Sequence, residues 1–120
     1  MFLYKMKKKS NSSYVYLFYS EDLNLYKIGV SKNSKRRREQ VQTGFPYKLS
    51  LLKEFKSDYP FKLEGSLHRR YKIYKENEDE TKLHGEWFNL PIDIVDKFED
   101  NCKEFEKNTN LLKEMGNPFV

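Results

Sequence analysis

The chain is poor in the residues that hold soft metals or covalent cross-links. With 1 Cys and 2 His among 120 residues, an internal disulfide and a Cys-clustered zinc site are excluded, and little is left for a histidine-based metal centre. The lone thiol, Cys102, suits a reducing compartment. No apolar run approaches the roughly 20 residues that a membrane-spanning helix needs, and residues 1–10 lack the apolar core of a secretion signal. The expectation is a soluble, intracellular protein with no membrane partner. No internal repeat is visible, and 120 residues suit one domain with one modest core rather than two independent ones.

What the chain does contain is aromatic and charged. Hydrophobic residues make up 38% of it and aromatics 16%, including 9 Tyr and 9 Phe. That is enough apolar surface to order the chain despite 34% charged residues. The net charge of +5 hides an asymmetry. Residues 1–72 carry 17 Lys and Arg against 6 Asp and Glu, a balance of +11, whereas residues 73–120 carry 6 against 12, a balance of −6. A basic front half backed by an acidic tail is the pattern of a polyanion-binding face with a solubilising helix behind it.

In chain order, residues 1–13 read as a mobile basic arm carrying Lys5, Lys7, Lys8 and Lys9. The continuous β-branched and aromatic run Tyr14 to Tyr19 reads as a strand, central because both its faces are apolar. A polar turn over Ser20 to Asn24 sends the chain back through a second, antiparallel strand from Leu25 to Val30. Asn33 or Ser34 can cap a basic helix over 34–43, which Gly44 is placed to end in the left-handed conformation. Lys48 to Phe55 reads as a third strand. Ser57 or Asp58 caps a second helix with Pro60 in its first turn, its buried stripe being Leu63, Leu67, Tyr71 and Tyr74. Glu76 to Thr81 reads as an exposed loop, and Trp87 with Phe88 as a seal on the core. Pro91 opens a third helix with Ile92, Val95, Phe98, Cys102 and Phe105 on one face, packed on the sheet, and residues 108–120 extend it or fray. The fold class is therefore α+β, a small three-stranded antiparallel sheet flanked by helices with a C-terminal amphipathic helix.

Two groupings carry chemistry. In the first, Tyr26 to Arg38, a strand passes through Gly29 and a turn into a basic helix. Gly29 permits a conformation or a close approach that a Cβ would forbid. Lys27, Lys32, Arg36, Arg37 and Arg38 gather cations about a turn whose backbone N–H groups can face an anion, so the ligand expected is a phosphate. The second is Glu64 and His68, four apart on one helical face beside the apolar stripe. A carboxylate there needs a partner, either a neighbouring cation or a hard divalent ion that prefers oxygen ligands.

Taken together, Val15-Tyr16, Lys27-Ile28-Gly29, Arg37, Leu63-Glu64, Leu67-His68 and Gly85-Glu86-Trp87-Phe88 follow one another in an order and spacing that resembles the GIY-YIG endonuclease superfamily. The likeness is greatest to its viral and phage branch, in which the second signature reads Lys-Ile-Gly. It covers residues 14–90, leaving 91–120 as a C-terminal helix on the same domain. The resemblance implies hydrolysis of a DNA phosphodiester with one divalent cation, Mg²⁺ or Mn²⁺, and a host cytoplasm or nucleus as the setting. By position it makes Tyr16 the contact to nucleophile or phosphate, Arg37 the arginine that steadies the phosphate and Glu64 the metal ligand. Tyr26, Gly29, Lys32, Arg36, Arg38 and His68 are the further candidate substrate contacts. Lys27 stands where many relatives have tyrosine, and Tyr14 where they have glycine, which leaves the general base open. Lys27 can serve if desolvation and Arg37 lower its pKa. If it only clamps phosphate, Tyr16, water on the ion or Tyr26 remains, although strand alternation sets Tyr26 and Lys27 on opposite faces. The competing readings are a nucleic-acid-binding module of this fold without cleavage and a protein-interaction domain.

Overall fold

The computed structural model describes residues 12–77 and 83–116. Three strands, β1 (Ser13–Ser20), β2 (Leu25–Ser31) and β3 (Ser50–Ser57), form one antiparallel sheet in the order β2-β1-β3. The helices are α1 (Ser34–Thr43), α2 (Pro60–Arg70), α3 (Ile92–Asp96) and α4 (Phe98–Glu114), with a 3-10 turn at Lys72–Tyr74. The α+β class and the central position of the first strand are as the apolar pattern required. Among the described residues no helix is long and apolar enough to cross a membrane.

β1 is central because it can bury both faces. Val15 and Leu17 point into a cluster with Tyr26 and Ile28 of β2, Leu63 and Leu67 of α2, Tyr71 just past its end, and Phe98 and Cys102 of α4. Tyr16 and Phe18 point the other way, toward Leu25, Leu49 and Trp87, with Val41 of α1 and Phe45 at the margin. Two aromatic neighbours in sequence thus seal different layers: Phe88 closes the first cluster and Trp87 the second. Cys102 is a free thiol, and burial pushes it up to about 12, so it behaves as a core residue rather than a nucleophile.

The outer edge of β2 is covered rather than left open. Tyr26 exchanges two backbone hydrogen bonds with Phe88, at 2.8 and 2.9 Å, which removes an edge that could pair with another chain. Helix α1 has only a sparse apolar face and is held by polar clamps. The Asn33 side chain caps it by accepting from the Arg36 N–H at 3.0 Å. The Gln42 amide donates to the Tyr47 carbonyl at 2.7 Å while its oxygen accepts from the Leu49 N–H at 2.8 Å.

Several local expectations are corrected. Gly44 closes α1 at φ −101°, not in the left-handed region, because its N–H turns back to the carbonyls of Gln42 and Val41. The third strand begins two residues later than the apolar run suggested, since Gln42 takes the N–H of Leu49 and a register shift opposite Leu17 and Phe18 follows. Neither Ser57 nor Asp58 caps α2. The cap residue is Tyr59, and Ser57 donates to the Glu106 carboxylate at 2.7 Å while the Asp58 N–H donates to the same carboxylate at 2.8 Å, tying β3 to α4. The third helix is two helices broken at Lys97, and Ile92, expected inside, is 69% exposed. The expected basic arm and exposed loop lie largely outside the described residues. Ser13 already belongs to β1, and the Glu76 N–H bonds the Trp87 carbonyl at 2.8 Å.

Leu63 is fully buried where α2 meets the sheet. Leu63→Ala should therefore cost about 2–5 kcal/mol of stability, measured by chemical denaturation with the slope unchanged.

Candidate active site

The register of β1 and β2 does the first part of the assembly. Tyr16 lies opposite Gly29 and Phe18 opposite Lys27, so Tyr16, Gly29 and Lys27 face the same side of the sheet. Tyr16 stacks on Phe18 with ring centroids 3.9 Å apart. Its phenol lies across β2 in the space that a Cβ on Gly29 would occupy. Gly29 is thus required for a close approach, not for an unusual backbone angle.

The second part comes from the helices and the 83–90 segment. Arg37 of α1, Glu64 and His68 of α2, and Gly85 with Glu86 close around Tyr16 and Lys27 to form a pocket of about 390 Å³. Arg37 stands beside the Tyr16 hydroxyl, close enough to favour its ionised form, and its guanidinium also donates to Gln40 at 3.5 Å. Lys27 lies over the Trp87 ring, its Nζ 5.3 Å from the centroid. Gly85 passes close above it at φ +91°, where a side chain would be strained and its Cβ would meet the Lys27 ammonium at 2.5 Å.

Burial shifts three of these groups toward their neutral forms. It raises Tyr16 above the ordinary phenol value, against the opposing pull of Arg37. It lowers Lys27 below the ordinary amine value, assisted by Arg37 and opposed by Glu86 and Glu64. It raises Glu64 above the ordinary carboxylate value, with His68 and Lys27 opposing and Glu86 adding. By contrast Glu86 is held low, chiefly by its hydrogen bond to Lys75.

His68 joins α2 to both neighbours. Its Nε2–H donates to the Ile28 carbonyl at 3.0 Å, and Nδ1 lies 3.0 Å from Glu86, which also bonds Lys75 at 2.8 Å. The ring is thereby held between the edge strand and the 83–90 segment. Glu64 has no hydrogen bond or ion pair to any described residue, and its interactions are electrostatic. Among the described residues no group of three His, Cys, Asp or Glu could cage a metal ion. A half-buried carboxylate without a hydrogen-bonding partner beside a cationic pocket nevertheless fits one hard divalent ion, which needs only one or two carboxylates when substrate phosphate and water complete its shell.

Of the sequence-derived candidates, Tyr16, Lys27, Gly29, Arg37, Glu64 and His68 share the pocket. The others stand elsewhere. Tyr26 turns to the opposite face, buried and stacked on Tyr19 with centroids 4.6 Å apart. Arg38 is half-buried and donates to the Leu49 carbonyl at 3.1 Å, bracing the loop before β3. Arg36 is exposed on α1, and Lys32 lines an adjoining cavity. Sequence reasoning missed Phe61, which lines the pocket three residues before Glu64. Its signal was an aromatic standing off the Leu63–Leu67 stripe.

A small antiparallel sheet thus carries a phenol, a lysine, an arginine and a carboxylate in one pocket. The chain belongs to the family of the T5orf172 domain, which it matches over residues 13–105, a domain found in phage and related nucleases. The matched region runs past Leu90 into α4. No curated protein and no solved structure matched the chain.

The crowding at Gly29 gives a direct test. Gly29→Ala should lower stability by about 1–3 kcal/mol through overlap with the Tyr16 ring and hydroxyl. Adding Tyr16→Phe should recover part of that loss, read as a non-additive double-mutant cycle in urea denaturation.

Proposed function

We propose that the protein is a GIY-YIG-type endonuclease that hydrolyses DNA phosphodiester bonds with one divalent cation, Mg²⁺ or Mn²⁺. The convergence of Tyr16, Lys27, Arg37 and Glu64 on one pocket from four different elements carries this reading. A pure binding surface needs the cations but gains nothing from a half-buried, unbonded carboxylate that would face a polyanion.

Each residue has a part in the displacement. Arg37, beside Tyr16, is set to hold a non-bridging phosphate oxygen with a permanent charge. The Tyr16 phenol, kept protonated by burial, donates a hydrogen bond to the phosphate or the attacking water. Lys27, lowered by burial, takes the proton of that water as its oxygen bonds to phosphorus and a bridging P–O bond breaks. Glu64 would hold the cation, which when bound supplies positive charge against the leaving oxygen. His68, anchored to Ile28 and Glu86, fixes the turn of α2 that presents Glu64. Burial thus works against the phenol as a base and in favour of the lysine.

The deciding experiment is incubation of supercoiled plasmid with the protein and Mg²⁺ or Mn²⁺, with and without chelator. Chelator-sensitive nicking supports the enzyme. Salt-sensitive DNA binding without any nicking supports a non-catalytic binding module instead.

Two variants refine the assignment. Glu64→Gln should abolish cleavage yet be as stable as wild type or more so at neutral pH. Its carboxylate is raised in the folded state, so the burial penalty is full above that raised value and disappears below the unfolded value. The stability difference should therefore narrow as pH falls through the carboxylate range, followed by thermal denaturation. For Lys27, the wild-type rate should rise with pH through a depressed amine value. Lys27→Arg should then be as inactive as Lys27→Met, because guanidinium stabilises phosphate but accepts no proton. Substantial activity in Lys27→Arg would make Lys27 a clamp.

A further inference from the structure

A second cavity, about 640 Å³, adjoins the first at the end of β2 and the start of α2. Its size lies within the ~300–1,000 Å³ range of sites that enclose small organic groups. Phe61 and Val30 line both cavities and form the wall between them. The second is walled by Tyr59, Pro60 and Phe61, with Lys32 on one side and Lys62 on the other. Its one carboxylate, Asp58, accepts a hydrogen bond from Ser12 at 2.7 Å.

Phe61 is the informative residue. It is 73% exposed on α2, three residues before Glu64, while Leu63 and Leu67 of the same helix are buried in the core. An aromatic ring held in solvent between a cationic catalytic pocket and a lysine-flanked cavity can stack on a nucleobase, with the lysines serving the adjoining phosphates. We infer that this cavity receives a nucleotide next to the scissile phosphate, its base stacked on Phe61. The inference rests on the nuclease reading for which phosphate is cut, and it adds a substrate class. Inside a paired duplex both faces of a base are covered by its neighbours, so seating one in this cavity requires its extrusion, which costs least for a base that is already unpaired. The preferred substrate therefore carries an unpaired nucleotide beside the cleavage point, as at a single-stranded branch or flap.

The test separates base stacking from general affinity and from cleavage. Fluorescence-anisotropy titrations of the full chain in chelator compare a fully paired duplex, the same duplex with a short single-stranded branch, and that branch with abasic residues next to the junction. Wild type should bind the branch most tightly and lose roughly tenfold on the abasic version, a loss typical of one base–aromatic stack. Phe61→Ala should show that loss on the normal branch and no further loss on the abasic one, and Phe61→Trp should restore discrimination. Circular dichroism checks the fold of both variants. A wild-type protein indifferent to the abasic residues, or a Phe61→Ala loss equal on both branches, overturns the subsite. A chain that shows the coupling but cleaves neither plasmid nor the branched DNA in Mg²⁺ or Mn²⁺ keeps the subsite and loses the nuclease reading. One that nicks plasmid without the coupling loses the subsite alone, and one that binds none of the three DNAs loses it as well.

Discussion

The pairing of Tyr16 with Gly29 is the constraint on which the site depends. Because Gly29 has no Cβ, the Tyr16 phenol crosses β2 and reaches Arg37. The same register sets Lys27 two residues away on the same face, and it sends Tyr26 into the opposite cluster beside Ile28. Side chains alternate with a period of two, so a one-residue slip would exchange these faces and dissolve the pocket while leaving the strands paired. The edge of β2 depends on the same register. The Tyr26 backbone meets Phe88 and the Ile28 carbonyl meets His68, so α2 and the 83–90 segment are docked by the strand that carries the lysine.

The pocket concentrates groups that resist their own charge. Burial raises Tyr16 and Glu64 and lowers Lys27, and each shift reflects a desolvation that the fold tolerates where α2 meets the edge strand. Such groups gain more from an arriving phosphate and cation than they give to the empty fold. Around them stand charged groups set in place: Arg37 beside Tyr16, and Glu86 between His68 and Lys75. The surroundings are therefore preorganised while the reactive groups stay responsive.

Chain order and periodicity made the scaffold legible in advance. β1 was readable because six successive β-forming residues can be satisfied only in the middle of a sheet, and α2 because Leu63, Leu67 and Tyr71 repeat at helical spacing. The errors lie where a distant partner overrode a local preference. Ser57 and Asp58 are sound caps, but Glu106 from α4 takes the Ser57 hydroxyl and Ser12 the Asp58 carboxylate. Gly44 suits a left-handed end, yet its N–H finds carbonyls without one. Ile92 continues an apolar stripe that the break at Lys97 rotates away from the core.

The site divides in the same way. Sequence alone determined which chemistry was present, because a lysine before Ile-Gly, an arginine on a basic helix and a glutamate beside an apolar stripe are local facts. It also determined that Tyr26 and Lys27 part company, since alternation along a strand needs no tertiary information. Only the folded chain decided which of the many cations belongs to the pocket. Arg36, Arg37 and Arg38 are consecutive, yet helical rotation and the loop before β3 turn one to Tyr16, one to the Leu49 carbonyl and one to solvent. The fold likewise decided that Gly29 serves closeness rather than conformation, and that Phe61 stands exposed between two cavities. Contacts of that kind join residues distant in the chain, and their distances depend on how helices seat against the sheet, which no local pattern encodes.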